Sequence, residues 1–189
     1  MLPVMIDVKG KQVIIVGGGK VAFRKLTVFL EQGAKITVIS PEVVDQIKVL
    51  HYEKRISWIK REVLRADVKD AFIVIAATNK RSVNEQVKIY SEENQLISVV
   101  DDGDCGNMQM VSFKQRGSLT IAVSTGGASP FLAKKLTHQL FEPFDDSYIE
   151  KLAIISSKRK EIKASDLSTS EKRKLLKELS SELEAIENE

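Results

Sequence analysis

Three consecutive glycines carry the clearest chemical potential in this chain, within V-I-I-V-G-G-G-K-V-A-F-R-K at residues 13–25. β-branched residues lead into the turn, and apolar residues at helical spacing follow it. Gly17, Gly19 and Ala22 fit the G-x-G-x-x-G/A pattern of dinucleotide binding, and the strand–turn–helix context that pattern needs is present. Gly17 permits the tight turn. Gly19 lets a pyrophosphate reach the backbone with no Cβ in the way, and Ala22 lets the helix pack close to the strand. The phosphates then meet N–H groups at the positive end of the helix dipole. A glycine turn that merely joins strand to helix is the alternative, and the position after the first strand of an alternating pattern favours the nucleotide.

The second strand ends in Ser40-Pro41-Glu42. The pattern expects an acidic residue about 20 positions on, to hold a ribose. Glu42 serves if the turn is a residue or two longer; otherwise Ser40 and the backbone meet the sugar. No Arg stands at that tip to hold a 2′-phosphate, which favours NAD over NADP. Thr78 and Asn79 follow the fourth apolar run, at the carboxyl edge where such sheets bind ligands. Asn79 is equally a good helix cap, and both roles are compatible.

Two further segments carry chemistry. Asp101-Asp102-Gly103-Asp104 ends the fifth apolar run, and clustered carboxylates raise one another's proton affinity. Asp101, at the strand tip, is the candidate general base; a one-residue change of register hands the role to Asp102. Asp104 reads as a turn residue. Ser124-Thr125-Gly126-Gly127-Ala128-Ser129-Pro130 begins a helix, with Ser129 as N-cap and Pro130 at the first helical position. Such a helix start with flanking hydroxyls attracts carboxylates, and Lys134 and Lys135 add to that if they face the cleft. A capped helix without a ligand is the even alternative. His51, His138 and the single Cys105 form no metal-ligand cluster by spacing.

The elements that position these residues follow from periodicity. Strands are expected at residues 12–16, 35–39, 56–60, 72–76 and 96–100. Between them, helices carry Ala22, Leu26, Phe29 and Leu30, then residues 42–51, then Val83, Val87 and Tyr90; Gly33 stops the first. This alternation predicts an α/β, Rossmann-like, mostly parallel sheet with right-handed crossovers. A hairpin of residues 108–114 and 119–124 about Arg116-Gly117 follows, then a helix to Phe141 and a charged helical tail. Tyr148, Leu152 and Ile155 line one face of the penultimate helix. Leu176, Leu179, Leu183 and Ile186 form a packing stripe on the last. The expected division is residues 1–113 for the nucleotide, 114–145 as a small α+β dimerisation and substrate segment, and 146–189 as a helical C-terminal domain.

Composition bounds the function. Of 189 residues, 43% are hydrophobic and 29% charged, ordinary for a globular protein. A net charge of +3 is too mild for a nucleic-acid reader. The longest apolar run, residues 71–77, is too short to span a bilayer. The first residues lack the basic-then-apolar order of a signal peptide, and one Cys excludes an internal disulfide framework. A cytoplasmic protein with neither nucleic-acid nor membrane partners is expected.

Five segments in order, V-G-G-G-K-V-A-F-R-K (16–25), G-A-K-I-T-V-I-S-P-E (33–42), A-A-T-N (76–79) with Val83-Asn84, S-V-V-D-D (98–102) and A-V-S-T-G-G-A-S-P-F-L-A-K-K-L (122–136), together resemble the precorrin-2 dehydrogenase family, a stand-alone relative of the N-terminal part of siroheme synthase. The resemblance implies NAD-dependent oxidation of precorrin-2 to sirohydrochlorin in siroheme biosynthesis. Hydride would pass from a ring carbon to the nicotinamide C4, and a proton to Asp101, the best match to the family's catalytic Asp. It implies NAD contacts at Gly17, Gly18, Gly19, Lys20, Val21, Pro41 and Glu42, and it makes Ser124 the serine of the family's A-V-S-[ST]-G-G motif. It also implies a homodimer, a tetrapyrrole substrate and, in some members, iron insertion into sirohydrochlorin. A substrate bearing several carboxylates suits Ser124, Thr125, Gly126, Gly127 and Ser129. The chain departs from the family in D-D-G-D-C-G-N-M (101–108), where Pro often follows the Asp and Gly103 and Gly106-Asn107 stand instead. No methyltransferase segment follows residue 189, so the upstream methylation is expected to belong to another protein. The rival reading is a non-catalytic NAD-sensing module that regulates a partner; it accounts for the glycine turn and the charged helices, but not for the Asp tip or residues 124–130.

Overall fold

The computed structural model describes residues 1–100 and 105–186, with side chains to residue 179. It divides into two compact units, Met1–Met110 and Val111–Glu189. The first holds β1 (Gln12–Val16), α1 (Lys20–Glu31), β2 (Lys35–Ile39), α2 (Asp45–Tyr52), β3 (Ser57–Ile59), α3 (Arg65–Val68), β4 (Ile73–Ala76), α4 (Arg81–Tyr90) and β5 (Leu96–Val99). The strands are all parallel in the order β3-β2-β1-β4-β5. The chain winds outward from β1 to β3, then returns to β4 on the other side of β1. Between β1 and β4 lies the switch point where such sheets open a crevice.

The apolar strands are continuous because both sheet faces are covered. Val13 and Ile15 point into one core with Ala22, Leu26 and Phe29 of α1 and Ile47 of α2. Ile14 and Val16 point into the other, with Val68 of α3 and Val87 of α4. Ile15 and Ile75 are fully buried, each contributing about 1.5–3 kcal/mol of transfer free energy. Gly33 adopts φ +76, and its N–H and that of Ala34 donate to Leu30 and Phe29 carbonyls, ending α1 in a Schellman motif.

In the second unit β6 (Ser112–Arg116) and β7 (Leu119–Val123) pair antiparallel around Gly117, which adopts φ +56. Helix α5 (Pro130–Phe141) packs on both strands, and buried Thr137 lies 3.0 Å from the Ser112 hydroxyl. Helices α6 (Asp146–Ala164) and α7 (Thr169–Ile186) pack on one another. Leu179 is buried and Leu176 half-buried, as are Tyr148, Leu152 and Ile155 of α6. The Leu183 and Ile186 side chains lie outside the described residues. Among those residues no helix is long and apolar enough to cross a membrane.

Three expectations are corrected. The hairpin's first strand starts at Ser112, not residue 108, because Asn107 and Met108 donate their N–H groups to Ile97 and lie against β5 instead. Helix α2 starts at Asp45, not residue 42, because residues 40–44 form a turn held on the glycine loop by Val44 N–H donating to Gly18. The N-cap of α4 is Lys80, not Asn79. The short helix α3 carries too little periodicity to be read from sequence.

Candidate functional site

The register places Val16 opposite both Ile39 and Ala76. The three turns that follow these residues therefore leave the sheet side by side and bound a crevice of about 770 Å³. Gly17, Gly18, Gly19, Lys20, Val21, Ser40, Pro41, Glu42, Thr78 and Asn79 all line it, and among the described residues no arginine does.

The three glycines have different physical roles. Gly17 sits at φ +121, and a Cβ there would strike the Ala77 carbonyl. At Gly18 a Cβ would run into the Glu42 carbonyl and lie 2.7 Å from Val43 Cγ1. In the sequence, the packing role of Gly18 is signalled only by the unbroken run of three glycines. Gly19 has an ordinary φ of −84, and nothing lies within 4 Å of a Cβ built on it. Its missing side chain leaves the floor of the crevice open. Helix α1 starts there with no side-chain cap and no acidic residue in its first turn, so its N–H groups and positive dipole end suit an anionic ligand.

The β2 tip is built by Ser40, whose hydroxyl donates to the Glu42 carbonyl (2.7 Å), and by Trp58, whose indole N–H donates to the Ser40 carbonyl (2.9 Å). Trp58 escaped the sequence reading because β3 is short and weakly patterned. Glu42 is exposed at the crevice, and Glu62, 3.8 Å from Lys80 Nζ, also lines it. On the β4 side buried Asn84 reaches back from α4 to Thr78: its Oδ1 accepts from the Thr78 N–H (3.2 Å) and hydroxyl (2.8 Å). Asn84 entered the sequence reading only through the family resemblance.

Val100 lines the crevice at the end of β5, and Asp101 and Asp102, which follow it, lie outside the described residues. Beyond them Asn107 pairs with the β5 edge through its side chain, Oδ1 accepting from Ile97 N–H and Nδ2 donating to the Gln95 carbonyl, both at 2.7 Å. A Cβ on Gly106 would strike the Ile97 carbonyl. Gly106-Asn107, where the chain departs from the family pattern, thus anchors the return from the acidic segment.

In the second unit Ser129 caps α5, accepting from Leu132 N–H (3.2 Å), with Pro130 at the first position. Thr125 closes the turn with Ser129, accepting from its N–H and donating to its carbonyl, both at 3.1 Å. The Ser124 hydroxyl accepts from Gly126 N–H (3.1 Å). Ser124 and Ser129 therefore act as local acceptors that retain a hydroxyl proton to donate, whereas Thr125 donates its own within the turn. Lys134 and Lys135 are exposed.

Lys25 and Asp67 are among the groups of the first unit whose titrations are displaced. Burial, helped by neighbouring Arg24, lowers the Lys25 ammonium, whose Nζ donates to Met110 Sδ at 3.5 Å. The Arg61 guanidinium holds the Asp67 carboxyl below its ordinary value through bonds of 2.6 and 2.7 Å. Among the described residues no group of three or more His, Cys, Asp or Glu could hold a metal ion.

Residues 4–112 match the family model described as putative NAD(P)-binding, and residues 116–136 match that of the sirohaem biosynthesis protein central region. The chain is 38% identical to the precorrin-2 dehydrogenase of Bacillus subtilis, over 79% of this chain and 92% of that protein. It is 35% identical to that of Priestia megaterium, over 95% and 89%. The siroheme synthase of Mannheimia succiniciproducens is 34% identical over 82% of this chain, which spans 33% of that longer protein. The solved structure of SirC, precorrin-2 dehydrogenase, superposes with a TM-score of 0.80 at 35% identity, covering 95% of this chain and 89% of the other. With identity of this order along nearly the whole length and one shared fold, the chain belongs to the precorrin-2 dehydrogenase family.

Proposed function

We propose that this chain is an NAD-dependent oxidoreductase that converts precorrin-2 into sirohydrochlorin in siroheme biosynthesis. One observation carries the cofactor reading: a fixed glycine turn whose Gly19 backbone faces open space at an uncapped helix N-terminus. A dinucleotide pyrophosphate fits there because its oxygens meet backbone N–H groups with no Cβ between. The exposed Glu42 carboxylate at the β2 tip supports NAD over NADP, since it would accept from ribose hydroxyls and repel a 2′-phosphate. The bound nicotinamide supplies the hydride acceptor.

The chain's own residues bind, orient and take up a proton. The turns at residues 17–21, 40–42 and 77–80 hold the cofactor. Asp101 follows directly on Val100 at the crevice and accepts the proton released as the macrocycle is oxidised, with Asp102 the alternative. Ser124 and Ser129 donate their hydroxyl protons to substrate carboxylates. A homodimer and the division at residues 113 and 145 belong to the same reading. Iron insertion would fall to the same carboxylate, which would take up pyrrole protons; Fe²⁺ uptake by sirohydrochlorin without NAD⁺ tests it.

Asp101→Asn and Asp102→Asn decide the base. Loss of a positioned base costs on the order of 10²–10⁴ in rate, so one of the two variants loses turnover by that factor while binding NADH within about twofold of the parent. Turnover unchanged in both removes the carboxylate from the mechanism. NADH binding without any affinity for sirohydrochlorin would identify a sensor instead.

A further inference from the structure

Asn84 lies one turn into α4 and is 1% exposed, beside the apolar Val83 and Val87. An amide in such a place costs stability unless its polar atoms are bonded. Here three bonds run to one residue: Oδ1 accepts from the Thr78 N–H and hydroxyl, and Nδ2 donates to the Thr78 carbonyl at 3.2 Å. Both backbone polar groups of Thr78 are thus gripped by a single side chain. Thr78 in turn accepts from Lys80 N–H at 3.2 Å through its hydroxyl, which closes the turn that enters α4.

Helix capping does not account for the arrangement. Asn84 stands at the fourth position of α4, and the N-cap, Lys80, makes no side-chain cap bond. Of the two peptides that Asn84 grips, the 77–78 peptide lies against Gly17: a Cβ on Gly17 would strike the Ala77 carbonyl and come within 3.2 Å of Thr78 N. One buried amide thus grips the peptide that packs against the glycine turn, just beyond the Ala77 N–H bond to the Val16 carbonyl at 2.8 Å.

We propose that Asn84 is a positioning residue for the cofactor. By fixing the 77–78 peptide against Gly17 it sets the width of the nucleotide crevice and hence NAD affinity, without itself touching the dinucleotide. This inference rests on the NAD reading of the crevice.

Asn84→Leu conserves volume, suits the apolar surroundings and removes all three bonds. Asn84→Asp keeps the acceptor toward the Thr78 N–H and sets a carboxyl oxygen, in place of the Nδ2 donor, against the Thr78 carbonyl. The Leu variant raises the NADH Kd and the KM for NAD⁺ by about ten- to a hundredfold. At saturating NAD⁺ it keeps kcat and the KM for precorrin-2 within about twofold. The Asp variant raises the same two quantities, because its carboxyl oxygen faces the Thr78 carbonyl where Nδ2 donates. A purely structural role would lower Tm and leave the KM for NAD⁺ unmoved at temperatures where the protein is folded. Unchanged NADH affinity in a folded Leu variant, or a loss confined to kcat, overturns the proposal; if the Leu variant does not fold, unchanged affinity in the Asp variant overturns it. An unmodified chain that binds no NADH would instead overturn the NAD reading, so the two failures are distinct.

Discussion

Gly18 and Gly19 are neighbours in sequence, yet alanine should do opposite things at the two positions. At Gly18 the new Cβ would overlap the Glu42 carbonyl and lie 2.7 and 2.8 Å from Val43 Cγ1 and Cα. Two of those three contacts are backbone, held in place by the Val44 N–H bond to the Gly18 carbonyl at 2.8 Å, so the β2–α2 turn must move and that bond is lost. Overpacking of about 1–3 kcal/mol and about 1 kcal/mol for the bond give about 2–4 kcal/mol of destabilisation. For a chain of this size that lowers Tm by about 5–15 °C. At Gly19 the Cβ meets nothing within 4 Å and φ is −84, so the structural cost is the exchange of a Gly N-cap for Ala, about 1 kcal/mol or less, and Tm shifts by no more than about 4 °C. The same methyl separates the pyrophosphate from the helix N-terminus. Loss of about two charge-assisted bonds weakens NADH by at least about a hundredfold, and Gly19→Asp, which adds a negative charge, does so more strongly. Trp58, the one tryptophan of the chain, donates to the Ser40 carbonyl at the lip of this crevice. Quenching of its emission by bound NADH reads affinity directly, while circular dichroism reads Tm. Gly19→Ala with parental NADH affinity, or Gly18→Ala with parental Tm, would refute the assignment of these roles.

Other outcomes follow from the same geometry. Gly106→Ala places a Cβ against the Ile97 carbonyl and should cost about 1–3 kcal/mol, read as a lower midpoint in urea; a parental midpoint contradicts the close approach. Lys54 holds φ +58 at the end of α2, where its N–H donates to His51 and that of Arg55 to Leu50, the position glycine fills in a Schellman motif. Lys54→Gly should therefore stabilise by about 0.5–1 kcal/mol, and a lower Tm would show that the lysine side chain makes a compensating contact. The Asp67 carboxyl, held low by Arg61 and by the Leu64 N–H (2.7 Å), contributes stability above the ordinary carboxylate range that is lost as pH falls through its folded value. Urea midpoints taken downward from pH 5 should then fall less in Asp67→Asn than in the parent chain, and parallel curves would exclude the pair as a source of acid sensitivity.

Much of the nucleotide unit was legible because its signals are local. β-branched runs of four or five residues ending in glycine or turn residues marked each buried strand, and positions 22, 26 and 29 marked the helix that covers β1. The glycine turn was legible because a close backbone approach tolerates few residue types. The less legible parts depend on partners remote in the chain. Trp58 acts at Ser40, 18 residues earlier, and Asn107 acts on Ile97 and Gln95. A strand-like pattern from residue 108 gave no sign that its first residues would be claimed by the edge of β5.

Sequence alone determined the alternation of strands and helices, the phosphate-suited turn and the acidic residues that follow β5, because hydrophobic period and glycine geometry are properties of short segments. Only the tertiary structure decided which of three adjacent glycines is packed and which is open, and that a buried amide on α4 holds the opposite wall of the crevice. Those properties exist only where separate segments meet: a Cβ is forbidden by whatever backbone lies against it, and an amide is satisfied by whichever peptide the fold brings within reach.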